Sequence, residues 1–313
     1  MNRREFVALS AAAPFALRAT LAAAAAAPSA LVTCDDESRL AVVDLGTFRV
    51  VRWVATPPGP RAIELVGNRA VVAHWALGRV SIADAHRVLH VIENVDAPRY
   101  TAAHPDGVHA FVTDSSYGLV TVDVLRGRVV GRVKLPGWPR HVTLDPTGKT
   151  LWVGLGTSST QVAVVDVTDP LRPRRVALVT SPFGAHDVGF SPDGTEVWVT
   201  SGAAGETAIY GAGRSLRSTL HADAAPQHVT FGGTAAYVTS GDSGTLRVHA
   251  RATGQVVRTT PIPVGSYNVQ HGHGRVITPS LSHGTLAVLD ERGALLATLQ
   301  VAASCHDACF APV

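Results

Sequence analysis

The sequence predicts an all-β chain, a seven-bladed β-propeller of four-stranded blades whose ring is closed by pairing the C-terminal strand with N-terminal strands. Three observations predict it. A strand–turn–strand unit, clearest at Ala185–Thr200 (AHDVGFSPDGTEVWVT), recurs along the chain. Its period of roughly 38–45 residues is that of a propeller blade. The last copy is cut short at the C-terminus, and the strands it lacks are found near the N-terminus.

Composition agrees with this reading. Hydrophobic residues make up 46% of the 313 residues and charged residues only 16%, enough apolar material for one large core. Glu and Lys are scarce and Met1 is the only methionine, whereas Val, Thr and Gly recur, which favours short strands and tight turns.

The first segment reads as an address. Arg3-Arg4 precede Phe6 and an alanine-dominated stretch to about Ala27, the pattern of a twin-arginine export signal. Residues 1–28 are therefore expected to be removed, leaving 29–313 as a single propeller in the periplasm or outside the cell. Arg18 and Pro14 interrupt the stretch, and alanine gives little insertion energy, so no stable membrane span is expected in the mature protein. Arg3, Arg4 and Arg18 with Glu5 account for most of the formal charge, which falls from +3 to +1 without them. No basic stripe remains, and nucleic acid is not an expected partner.

Aligned on the inner strand, the units begin at Pro60 (PRAIEL), Pro98 (PRYTAA), Pro139 (PRHVTL), Gly184 (GAHDVGF), Pro226 (PQHVTF), Ser266 (SYNVQH) and Ser304 (SCHDACF). A second apolar strand follows in each, as in AFVTD and VWVTS, then a third, as in LVTVDV and TLAVLD, then an outer strand after a Gly-containing turn. The unit CHDACFAPV supplies only an inner strand. Ala30–Cys34, Arg39–Asp44 and Val50–Ala55 supply the other three. Closing the ring in this way removes the exposed edge of an open array. His104-Pro-Asp-Gly107, Ser191-Pro-Asp-Gly194 and Asp145-Pro-Thr-Gly148 read as hairpin turns. The repeated Asp44, Asp84, Asp123, Asp166 and Asp290 read as turn caps rather than catalysts.

FSPDGTEVWVTS (Phe190–Ser201), AHPDGVHAFVTD (Ala103–Asp114) and AYVTSGDSGTLRVHARATGQVV (Ala236–Val257) resemble YVTN-type propellers, the group containing YncE-like and lactonase-like proteins. The resemblance covers essentially the whole mature chain and implies the architecture. It supplies no catalytic signature to carry over.

Candidate site residues come from the histidines. This alignment puts His141, His186, His228 and His306 at the third position of the inner strand, with Ala62, Tyr100 and Asn268 there in the other blades. These positions ring one mouth of the channel. Loops between second and third strands are expected to add His74, Trp75, Asp35, Asp36, Asp114 and His283 to it, and Trp138 arrives on an incoming connection. Neutral imidazoles from neighbouring blades suit zinc or copper, with an adjacent carboxylate such as Asp187 or Asp307 orienting a ring. The alternatives are inter-blade hydrogen bonding by the histidines, or a mouth that takes a small ligand or a periplasmic protein partner. The expected function is an exported binding propeller, with a metal-dependent lactonase-like hydrolase or redox accessory enzyme as the alternative. Cys34 and Cys305 meet in the closing blade, so a Cys34–Cys305 disulfide is expected to staple the ring there in preference to Cys34–Cys309, the alternative being thiolate ligation beside His306. The odd count leaves at least one thiol free unless it pairs between chains.

Overall fold

The computed structural model describes residues 28–116 and 118–311, and the export-signal segment lies outside the described residues. Seven antiparallel sheets of four strands each form the ring. Six run consecutively from Ile63–Val66 to Leu295–Gln300. The seventh is ordered Ala308–Ala311, Ser29–Cys34, Arg39–Asp44, Arg49–Ala55, so the two ends of the chain share one blade as expected. Among the described residues, no helix is long and apolar enough to cross a membrane.

Each blade repeats the same local physics. Second and third strands are buried on both faces and read as largely apolar runs, inner strands such as Val142–Leu144 are only partly buried where they line the channel, and outer strands such as Arg49–Ala55 alternate or lie exposed. Every third strand shifts register once against its outer strand, for example between Val164 and Val165. Such a bulge adds the twist a propeller blade needs. Turn chemistry follows the sequence. Gly194 closes its Pro-Asp-Gly turn at φ +68°, a backbone that side chains with a Cβ rarely adopt. The repeated aspartates are caps: Asp44 accepts the amides of Gly46 (2.7 Å) and Thr47 (2.9 Å), Asp84, Asp123 and Asp290 likewise accept two following amides each, and Asp166 accepts that of Thr168 (3.0 Å).

Among the described residues, four of the seven blades are tied to the next by a Thr of the second strand. Thr200 accepts the Asp187 amide of its own blade (3.2 Å) and donates to the Gln227 carbonyl of the next (2.6 Å). Thr113 links Tyr100 to Arg140, Thr33 links Asp307 to Arg61, and Thr239 donates to Tyr267. Each bond contributes about 1 kcal/mol, and their repetition around the ring holds the inner strands in register.

Candidate functional site

The Thr clips also fix which inner-strand residues share a level. Asp187 pairs with Thr200, His228 with Thr239, and Asp307 donates its amide to Thr33. Tyr100 takes the same place opposite Thr113. The channel tier is therefore Ala62, Tyr100, His141, Asp187, His228, Asn268 and Asp307. His186 and His306 stand one residue earlier, level with Arg61, Arg99, Arg140, Gln227 and Tyr267. This corrects the sequence alignment by one position in two blades. In a strand, one position exchanges one face for the other.

The channel tier is densely bonded. Asp187 Oδ1 accepts from His141 Nδ1 (2.6 Å) and from its own following amide at Val188 (2.7 Å). Its Oδ2 accepts the Val229 amide of the next blade (2.8 Å), with His228 Nδ1 at 3.6 Å. Asp307 repeats the amide bonds, to Ala308 (2.8 Å) and Ile63 (3.1 Å). The rings contact one another in series: Tyr100 tilted on His141 (centroids 3.5 Å), then His141 edge-on to His228 (4.3 Å) and His228 edge-on to His186 (5.0 Å).

Burial sets the charges. It drives His141 down to about 4 and lowers His186 and His306 well below the usual imidazole range, so all three are neutral near pH 7. Burial alone would raise Asp187, but His141 and His228 beside it hold it well below the ordinary carboxylate range. Asp307 has no such neighbours, and burial pushes it well up. Glu64, walled into the channel beneath, is raised to about 7 by the same cause.

This tier divides two spaces. Below it a cavity of about 230 Å³ runs between the inner strands, reached by His141, Asp187, Asp307, Asn268 and Glu64. Above it lies a vestibule with two lobes. One, about 280 Å³, is lined by Arg61, Arg99, Arg140, Trp75, Trp138 and His306. The other, about 160 Å³, adds His186, Tyr267 and Leu281. Tyr100 and His228 touch both levels and form the floor between them.

The expected site residues therefore separate. His141, His228 and Tyr100 come together, joined by Asp187, and the nitrogens and carboxylate oxygens of His141, Asp187 and His228 lie within 4.8 Å of one another. His186 is not available beside them: its Nδ1 donates to the Gln227 carbonyl (3.0 Å) and its Nε2 accepts from Arg140 (2.9 Å). His306 sits in the vestibule, positioned by Asn268, which donates to its carbonyl (2.7 Å). His74 is not at the mouth. It is fully buried inside its blade, bonded to Ser81 Oγ (2.8 Å) and the Pro58 carbonyl (3.1 Å). Asp114 is likewise buried, accepting the amides of Ser116 (2.9 Å) and Asp96 (3.1 Å) to shape its loop. Cys34, Cys305 and Cys309 are all free thiols in this structure. The expected Cys34–Cys305 partners are neighbours nonetheless, and their mutual hydrogen bond, with burial, raises Cys305 far above the usual thiol range.

Sequence reasoning missed the arginines. Their signal was present as a Pro-Arg pair opening three successive inner strands, Pro60-Arg61, Pro98-Arg99 and Pro139-Arg140. A second His–carboxylate group lies on the opposite, hairpin face, where Asp106 meets His104 (3.0 Å) and His109 (2.6 Å). This is turn chemistry: His104 stands where Ser191 bonds Asp193 (2.7 Å) in a later blade.

No family model matches the chain. A 69-residue stretch is 36% identical to a 6-phosphogluconolactonase of Cronobacter sakazakii, spanning 22% of this chain and only 20% of that protein. Solved structures resemble nearly the whole fold at low identity. A functionally unknown protein from Desulfotomaculum acetoxidans aligns with TM-score 0.78 at 11% identity, over 90% of this chain and 98% of that one. Hydrazine synthase of Kuenenia stuttgartiensis gives 0.70 at 17%, over 80% and 89%. The dihydro-heme d1 dehydrogenase NirN gives 0.66 at 14%, over 87% and 63%. At these identities the likeness is one of fold, a seven-bladed propeller scaffold.

Proposed function

We propose that the protein is an exported binding propeller that holds a small molecule at the vestibule end of its channel. The observation that carries this is the floored vestibule itself, where Tyr100 and His228 close a concave space rimmed by polar and aromatic side chains. Arg3-Arg4 before Phe6 supports export. Two similar proteins carry small molecules in their names, a phosphogluconolactone and dihydro-heme d1, which supports a small-molecule ligand over a protein partner.

Thermal denaturation of the exported protein against a panel of anionic, cationic and neutral small molecules tests the reading. Saturation at 100 times Kd adds about 2.7 kcal/mol, which shifts Tm by about 5 °C or more for a chain of this size. At least one class is expected to produce that shift, and the shift should shrink in Tyr100→Phe with His228→Gln, which keeps the floor packed. If no class shifts Tm, the binding reading is wrong.

A second reading rests on the His141–Asp187–His228 group. His141 Nε2 is buried without a hydrogen-bond partner among the described residues, and Asp187 orients the ring from its other nitrogen. Carboxylate-oriented neutral imidazoles are the donor set of zinc or copper. Metal analysis of protein purified without chelators decides it: one zinc or copper per chain, lost in His141→Ala, supports the site, and metal-free parent protein removes it.

A further inference from the structure

Arg61, Arg99 and Arg140 stand on three successive blades at one register position, each behind a proline that fixes the backbone into the inner strand. Arg61 has a counter-charge, Asp35, at 3.5 Å. Arg99 and Arg140 meet no carboxylate among the described residues. The Arg99 guanidinium lies between two indoles, 5.3 Å from Trp75 and 4.4 Å from Trp138. Arg140 gives one N–H to neutral His186, and its Nε is buried with no partner. The other carboxylate near this rim, Asp242, is engaged by the Tyr267 hydroxyl (2.8 Å) and the Gln227 amide (2.9 Å).

Such an arrangement is costly unless something outside the protein completes it. Burial lowers Arg99, and Arg140 and Arg61 lower it further by repulsion. Proteins rarely gather like charges in a recess without a counter-ion, and guanidinium groups are the donors that match carboxylate and phosphate oxygens. The indoles hold Arg99 in place before anything binds, which reduces the ordering entropy of binding. Trp75 and Trp138 remain 41% and 44% exposed, apolar walls beside the guanidinium groups.

We propose that the vestibule binds a small organic polyanion carrying two or three carboxylate or phosphate groups. Arg99 and Arg140 are its direct ligands, Arg61 adds charge at the rim, and Trp75 and Trp138 pack against its carbon frame. The proposal rests on the mouth being a binding site and names the ligand class it takes.

Calorimetric titration of the exported, mature protein tests it, with citrate as the carboxylate probe, inorganic pyrophosphate as the phosphate probe, and glucose and spermidine as neutral and cationic controls. One or both anions should bind, more weakly as salt rises. Arg99→Gln and Arg140→Gln should each weaken binding about 10- to 100-fold, the range for one charge-assisted hydrogen bond. Arg99→Lys should lose part of that, and Arg128→Gln, on an outer strand, should lose nothing. Citrate binding without pyrophosphate, or the reverse, assigns the anion. Anion binding that survives Arg99→Gln, or a mouth that binds only the neutral or cationic class, overturns the clamp while leaving the binding reading intact. If no class binds, both fall. Should Arg140→Gln not fold, Arg99→Gln, whose side chain makes no hydrogen bond among the described residues, decides alone.

Discussion

The two tiers of the mouth are built from adjacent residues of the same inner strands, yet they solve opposite problems. In the lower tier every charge has a partner inside the protein. Asp187 alone takes two backbone amides and an imidazole, and lies against a second imidazole. In the upper tier two guanidinium groups are held in place with no carboxylate partner among the described residues. The first arrangement is what stability selects, because leaving a buried group unpaired costs more than pairing it gains. The second gains only indole contacts and one hydrogen bond in the free chain, which is the observation behind the anion proposal. A cluster of polar residues is thus read by asking which of its members still lack a partner.

That contrast breaks most sharply at Asp187. Asp187→Ala leaves the His141 Nδ1–H and the Val229 amide unpaired, and is expected to cost about 3–5 kcal/mol in chemical denaturation. A cost below 1 kcal/mol would show that the lower tier is not structural. Next in size is the ring seam. Oxidising Cys34 and Cys305, with two electrons and two protons passing to a dithiol–disulfide carrier, should add about 2–4 kcal/mol and remove two of three titratable thiols after unfolding. If all three still react without reductant, the seam is held by packing alone.

Titration sharpens the lower tier further. The Glu64 carboxyl is raised in the folded state to about 7, so folding favours its protonated form and stability is lost as pH rises from the unfolded value of about 4.5 through 7. Glu64→Gln should therefore be more stable than the parent at pH 8, by on the order of 1–3 kcal/mol, and no different at pH 4. His141 has the opposite sense. Its folded value of about 4 means that the neutral ring is favoured, and stability is lost as pH falls from 6.5 toward 4. His141→Gln should flatten the acid limb of a stability–pH curve. An unchanged limb would mean that another histidine, such as buried His74, carries it.

The fold was legible because it is written in turn chemistry: Pro-Asp-Gly hairpins, capping aspartates and a fixed period survive even where strands drift. The split blade followed from counting strands. The site was less legible, for identifiable reasons. The inner strands are short and show no clean alternation of burial, so the apolar pattern does not reveal which residues face the channel. Starting the units at Gly184 and Ser304 put His186 and His306 one place too low. Aligning on the residue after the channel position (Val142, Val188, Val229, Ala308) gives the register that the Thr clips impose. His74 and Asp114 were drawn to the mouth by residue type, although each is spent inside its own blade. The arginines were passed over because a cation in a short connection resembles ordinary surface, and only the threefold Pro-Arg repeat sets them apart.

The smallest stability effect belongs to the upper tier, and it tests the central contrast most directly. Thermal denaturation of the parent and Arg99→Gln, each with and without citrate, separates a residue kept for stability from one kept for binding. Arg99→Gln is expected to melt within about 2 °C of the parent when no anion is present, because the like-charge repulsion it removes offsets the indole contacts it loses, and it breaks no side-chain hydrogen bond among the described residues. The parent should gain several degrees in citrate and the variant little or nothing. A variant that melts well below the parent without citrate, yet keeps the full citrate shift, would contradict the division of the mouth into a self-satisfied floor and an anion-ready rim.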